Sequence, residues 1–201
     1  AEPLATVIHG FNRLKQQEYD NVVIFGAGAI GLLAASVALT RARHVAVIDV
    51  VPSRLETASA IGVTLTVNSK EKDVADAVMK MTAGKKADLC IDCAGISTVR
   101  DQCFRLISPG GELLFIAMGH DVTEVNFRQL VSRELTAYGC QCHYMSDFEE
   151  ALRALKDGII PYEKIVTAYS LEEGVAVFEK MKKGEEMGIK VVLVPEPGEV
   201  T

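Results

Sequence analysis

At 201 residues, 49% hydrophobic and 24% charged, the chain is long enough to bury a core and has the composition of a soluble α/β protein. A net charge of −6, with no run of more than two Lys or Arg, argues against nucleic acid and an anionic membrane surface as partners. The longest apolar stretch, residues 27–39, is broken by glycines and Ser36 and is too short to span a bilayer, and no signal peptide is visible. Five cysteines, an odd number without framework spacing, point to free thiols in a reducing compartment, so a cytoplasmic protein is expected.

The chain opens at Ala1, without an initiator methionine, directly into Glu2-Pro3-Leu4, which reads as a cut end. Leu4, Val7, Ile8, Phe11 and Leu14 then recur at helical spacing behind Pro3, a residue suited to a first helical turn. Strands are expected at residues 22–25, 44–48, 65–67, 87–92, 112–117 and 135–139, with helices at 29–42, 53–61, 72–81, 98–106 and 147–155. Strands alternating with helices of that length imply right-handed βαβ crossovers and a parallel sheet covered on both faces: an α/β, doubly wound Rossmann fold. Runs such as VVIF and HVAVI are apolar throughout, as burial on two faces requires. Ser146 with Glu149 and Ser170 with Glu173 have capping-box spacing. After Gly158 the order changes to a strand at 164–168, a helix at 171–181, a strand at 190–194 and a tail at 195–201.

Gly26, Gly28 and Gly31 form G-x-G-x-x-G directly after the first strand and at the start of a helix. Gly26 permits the tight turn, Gly28 lets a pyrophosphate approach the backbone, and Gly31 lets helix and strand pack closely. The N–H groups of Ala29 and Ile30, at the positive end of the helix dipole, then face the phosphates. The plainer alternative is a tight strand-to-helix turn. Asp49 ends the second strand, 18 residues past Gly31, where a carboxylate can accept hydrogen bonds from both ribose hydroxyls of an adenosine; the alternative is a helix-start carboxylate near Pro52. Such a carboxylate repels a 2′-phosphate, and Val50 and Val51 offer no cation, so NAD is favoured over NADP. Arg54 is placed to lie over the adenine face, with a merely solvated arginine as the alternative.

Cys90-Ile91-Asp92-Cys93 and Cys140-Gln141-Cys142 raise the question of a metal. Cys90 falls inside a central strand, where a buried cysteine acts as a small hydrophobe, whereas a zinc knuckle needs a loop that curls its ligands together. His9, His44, His120 and His143 occur singly; His44 reads as structural, and His120 and His143 follow strand ends nearer the expected cleft. The pairs Glu149-Glu150 and Glu185-Glu186 read as solvated faces.

Taken together, EPLATVIHGF, VVIFGAGAIGLLAASVA, VIDVVPSRLETASAIG, ISPGGELLFIAMG, VNFRQLVSRELTAYG and KIVTAYSLEEGVAVFEKM resemble the medium-chain dehydrogenase/reductase superfamily, most closely its zinc-dependent polyol branch of sorbitol and butanediol dehydrogenases. The resemblance implies an N-terminal catalytic domain with zinc ligands ahead of the E-P-L segment, and none of those motifs is present. The chain is therefore expected to comprise a lead-in helix (1–18), an NAD-binding Rossmann domain (19–160) and a C-terminal segment (161–201) that rejoins the catalytic domain. Glu2 matches an acidic residue that points at the catalytic zinc, directly or through water; its alternative is a plain helix cap before Pro3. Because zinc wants about four ligands, this chain alone is expected neither to hold the metal nor to turn over substrate.

In the family mechanism zinc polarises the substrate hydroxyl and hydride passes from carbon to the nicotinamide. The resemblance places Ala94, Gly95, Ala117, Met118 and Gly119 along the nicotinamide half, and residues 141–143 toward an alcohol or polyol substrate. Here the chain lacks the arginine of sorbitol dehydrogenases, so the substrate stays open. The resemblance further implies a homodimer joined through the sixth strand. Two other classes remain open: a stand-alone NAD-binding redox sensor, and a zinc-free quinone or enoyl reductase, for which the carboxylate of Asp49 is unexpected.

Overall fold

A computed structural model describes residues 1–119, 122–185 and 187–195. Helix α1 (Glu2–Asn12), with Pro3 in its first turn, leads into strand β1 (Tyr19–Phe25). There follow α2 (Ala29–Ala38), β2 (Ala42–Asp49), α3 (Pro52–Ala60), β3 (Leu65–Asn68), α4 (Val74–Met81), β4 (Ala87–Asp92), α5 (Ser97–Leu106) and β5 (Ile107–Phe115). Then come α6 (Phe127–Ser132), β6 (Thr136–Gly139) and α7 (Met145–Lys156). The six strands form one parallel sheet in the order β3-β2-β1-β4-β5-β6, the doubly wound Rossmann arrangement expected. A second parallel pair, β7 (Val166–Ser170) and β8 (Lys190–Val194), is joined by α8 (Gly174–Lys182).

Alternation within each strand fills two cores. Val22, Ile24, Val45, Val47, Leu89 and Ile91 face a layer that includes α1, α2 and α7. Their neighbours Val23, Phe25, Ala46, Ile48 and Cys90 face α4 and α5 through Val74, Val78, Cys103 and Phe104. Because β1, β2 and β4 are buried on both sides over these residues, a one-residue slip would exchange their entire contact set.

Several boundaries differ from the sequence reading. The helix expected over 29–42 stops at Ala38: Thr40 Oγ1 donates to the Val37 carbonyl at 2.8 Å, and Ala42 instead pairs with Tyr19 in the sheet. Strand β5 begins at Ile107, with a register shift where β4 meets it, and ends at Phe115. Beyond it the Ile116 and Ala117 N–H groups both turn to the Asp92 carbonyl, at 3.1 and 3.2 Å. Helix α6 was not expected; Asn126 starts it by accepting from the Arg128 N–H.

The Ser146–Glu149 capping box does not form. The cap lies two residues earlier, where the Tyr144 N–H donates to the Asp147 carboxylate at 2.8 Å. The Ser170–Glu173 pair does bond reciprocally, at 2.9 and 3.2 Å, in the turn before α8. The tail at 196–201 lies outside the described residues.

Two buried carboxylates tie α1 and the chain after it to the sheet layer. Glu112, in the apolar β5, accepts from the Lys15 and Gln16 N–H groups at 2.9 and 3.2 Å and from the Tyr19 hydroxyl at 2.8 Å. Burial, then the bond to Glu112, raises the Tyr19 phenol above its ordinary range. Asp147 accepts from His9 Nδ1 at 2.9 Å and Asn12 Nδ2 at 3.1 Å, clasping α7 to α1. Burial pushes the Asp147 carboxyl upward, but the bonds from the Tyr144 N–H, Asn12 and His9 outweigh it, and its pKa lies below the ordinary 3.8. The clasp's contribution is thus present above the ordinary aspartate range and is lost as pH falls through the depressed value. Urea unfolding of wild type and Asp147→Asn at several pH values should show a stability gap that is constant near neutrality and closes on acidification below about pH 4; a pH-independent gap would refute the assignment.

Candidate coenzyme site

The loops at the carboxyl ends of β1, β2, β4 and β5 converge beside β1 and β4, where successive connections leave the sheet on opposite sides. This is the crevice of a doubly wound sheet in which ligands bind. Gly26 leaves β1 with φ +98°, and its N–H donates to the Ile48 carbonyl at 2.7 Å. A Cβ at Gly31 would overlap the Gly26 carbonyl oxygen, so α2 packs onto the strand end through bare backbone, as the glycine spacing predicted. Gly28 caps α2 in extended conformation with no side-chain acceptor, and a Cβ there would meet nothing within 4 Å. Its open side is where a pyrophosphate could approach. Ala29 and Ile30 are the first helical residues, whose N–H groups have no acceptor within the helix, and the first turn carries no acidic residue to compete with an anion.

Asp49 is 9% exposed at the end of β2 and is joined to the glycine turn. Its Oδ2 accepts from the Ala27 N–H at 2.6 Å, and Oδ1 accepts from the Val50 and Val51 N–H groups at 2.7 and 2.9 Å. Three of the carboxylate's roughly four acceptor positions are thus taken by the chain's own N–H groups. Arg54 is exposed on α3 and lines a cavity of about 680 Å³ with Val51, Thr57, Lys164, Thr167 and Ile189, a cavity that no residue of the glycine turn lines.

Ala94 and Gly95 follow β4, and Ala117, Met118 and Gly119 follow β5; the fold brings these two segments into contact. Gly95 has φ +74°, and a Cβ on it would lie 2.5 Å from the Gly119 N. Met118, next to Gly119, stands 77% exposed. Asp92, which the sequence reading left as part of a strand, organises this ledge. Fully buried, it accepts from the Ala94 and Gly95 N–H groups at 2.9 and 2.7 Å and from Arg100 Nε at 3.3 Å. The available signal was an aspartate three residues before a glycine at a strand end, a turn-forming pattern.

The cysteines are free, and among the described residues no group of three His, Cys, Asp or Glu could hold a metal ion. Cys90 is buried in the core, and burial raises the thiols of Cys93, Cys103 and Cys140. Glu2 lies in the first turn of α1 without capping it, 4.0 Å from His143 Nδ1, with Thr6 Oγ1 3.4 Å from the carboxylate. These donors fall short of the four that zinc wants. His44 bonds Asn21 at 3.2 Å, a structural role as expected. His120 lies outside the described residues.

Residues 29–157 match the family described as zinc-binding dehydrogenase. The chain belongs to that family. Sorbitol dehydrogenase 1 of Saccharomyces cerevisiae is 28% identical over 205 residues, covering 97% of this chain and 57% of that protein. Sorbitol dehydrogenase of Bombyx mori is 30% identical over 94% of this chain and 56% of its own length. The crystal structure of 2R,3R-butanediol dehydrogenase from Bacillus subtilis superposes with a TM-score of 0.86 at 24% identity, covering 97% of this chain and 56% of that one. The chain thus spans little more than half the length of these zinc-binding dehydrogenase relatives. Among the described residues no helix is long and apolar enough to cross a membrane.

The two glycines should separate fold from ligand. Gly31→Ala forces a Cβ into the Gly26 carbonyl and should cost about 1–3 kcal/mol of stability, whereas Gly28→Ala should cost no more than about 1 kcal/mol, both read from urea unfolding. Equal losses would contradict the packing described.

Proposed function

We propose that this chain is the NAD(H)-binding part of a zinc-dependent alcohol or polyol dehydrogenase that moves hydride between a secondary alcohol and NAD. The observation that carries the reading is the union of the glycine turn with a buried carboxylate, through the Ala27 N–H to Asp49, at the switch point of the sheet. Residues 19–160 would form the coenzyme unit, with 1–18 and 161–201 as the pieces that join it to a catalytic domain. The backbone at Gly28, Ala29 and Ile30 would hold the pyrophosphate, Asp49 the adenosine ribose, Arg54 the adenine face, and Ala94, Gly95, Ala117, Met118 and Gly119 the nicotinamide half. When bound, NAD supplies the hydride acceptor; this chain's part is to bind it, orient it and shield one face. Glu2 would face the zinc of the complete protein, whose other ligands these residues do not supply, and residues 141–143 would border the substrate.

Calorimetric titration should show NADH binding at least about tenfold tighter than NADPH, because a 2′-phosphate would stand against the Asp49 carboxylate. Asp49→Asn keeps an oxygen for the Val50 and Val51 N–H groups but removes the charge, and should erase most of that preference. Equal affinities in the wild type would overturn the assignment.

We further propose that two copies pair through β6. It is an edge strand, with Thr136, Ala137 and Gly139 exposed, and neither proline nor lysine blunts it. Beside it Phe104, Phe115, Val125, Phe127 and Leu130 line an apolar cavity of about 440 Å³. Sedimentation should find a wild-type dimer and an Ala137→Pro monomer, proline removing a ladder donor; a monomeric wild type or a dimeric variant excludes this interface.

A further inference from the structure

We infer that Asp92, Arg100 and Thr123 form a positioning clamp that holds the two nicotinamide-side segments in register. The inference rests on the coenzyme-binding reading above and says which side chains set the geometry of its redox end.

The clamp works through both halves of one residue. The Asp92 side chain takes the Ala94 and Gly95 N–H groups on Oδ1, at 2.9 and 2.7 Å, closing the turn after β4. Its main-chain carbonyl takes the Ile116 and Ala117 N–H groups, at 3.1 and 3.2 Å, fixing the start of the segment after β5. Arg100 in turn gives Nε to Asp92 Oδ2 at 3.3 Å and Nη1 to Thr123 Oγ1 at 2.6 Å. Ser97 Oγ lies 3.3 Å from the same hydroxyl.

An apolar strand end would be stable without a charge, and a buried ion pair is weak as a source of stability, since desolvation offsets most of its Coulomb energy. What this pair supplies is directional. A bridged guanidinium and a carboxylate bonded to two successive N–H groups leave the Gly95–Gly119 backbone contact little freedom to open. A hydride acceptor needs such rigidity, because a misplacement of about 1 Å costs on the order of a hundredfold in rate.

The test compares a ligand that reaches the ledge with one that stops short of it. NADH is followed by the enhancement of its nicotinamide fluorescence, and ADP-ribose, which lacks the ring, by calorimetry, both on the full chain. Asp92→Asn should weaken NADH about tenfold, the loss of roughly one charge-assisted hydrogen bond, and abolish the fluorescence enhancement while ADP-ribose stays within about twofold of wild type. Thr123→Val, which leaves the Asp92 turn intact, should show the same split at about threefold and decides the matter if the first variant does not fold. Parallel weakening of both ligands, or no change in NADH, overturns the clamp. A wild type that binds ADP-ribose without enhancing NADH fluorescence also overturns the clamp and leaves the glycine-turn assignment standing. A wild type that binds neither overturns the coenzyme reading and the clamp with it.

Discussion

Two contacts between bare backbones, Gly26 with Gly31 and Gly95 with Gly119, set the height at which everything on the carboxyl edge of the sheet can stand. A Cβ at Gly31 or Gly119 would overlap the carbonyl oxygen of the opposite glycine. Moving α2 outward to relieve the first overlap would draw Leu32 and Ala35 out of the core and carry the Ala29 and Ile30 N–H groups away from β1. Opening the second would part the turns after β4 and β5. Packing of the core and geometry of the site are therefore one constraint, because an interior near crystal density transmits such a displacement.

The same edge and the layer behind it are fastened by buried carboxylates whose partners are mostly backbone N–H groups. Asp49 takes three such groups and Asp92 two plus a guanidinium. Glu112 takes two and the Tyr19 hydroxyl, and Asp147 takes one along with Asn12 and His9. The reason is a shortage of acceptors. Where a parallel strand turns into a helix, several N–H groups point into one small volume without carbonyl partners. A carboxylate can take several at once, and each such bond contributes about 1.5–3 kcal/mol, which offsets its removal from water.

Features encoded by local period or spacing were legible in the sequence. The alternation of VVIF and HVAVI between two cores, the strand–glycine–helix order and the distance from Gly31 to Asp49 all follow from neighbouring residues, and the parallel sheet follows from them. Contacts across the sequence left little local trace. Nothing near Asp147 announces that its partners are His9 and Asn12, and the Ser-x-x-Glu spacing at Ser146 points to a cap two residues later than the one at Tyr144. The boundary at Ala38 has little local signal, because alanine and leucine favour helix on their own; the Thr40 side-chain bond and the pairing of Ala42 with Tyr19 end it. Helix α6 is short, and only its cap at Asn126 marks it, without an apolar stripe of helical length.

Asp49 is bonded to the chain on both carboxylate oxygens before any ligand arrives. Three of its acceptor positions are spent on the chain's own N–H groups. Oδ1 carries two of these bonds and Oδ2 one, from the Ala27 N–H of the glycine turn. Under the proposed function, discrimination between coenzymes then depends less on the number of hydroxyls bonded than on charge. At 9% exposure little water lies around the carboxylate to screen its field. A phosphate brought against that oxygen would meet a fixed negative charge with no donor left over. A neutral hydroxyl would meet an acceptor already aimed by the same turn that presents the helix N-terminus, so pyrophosphate and ribose would be gripped by one rigid unit.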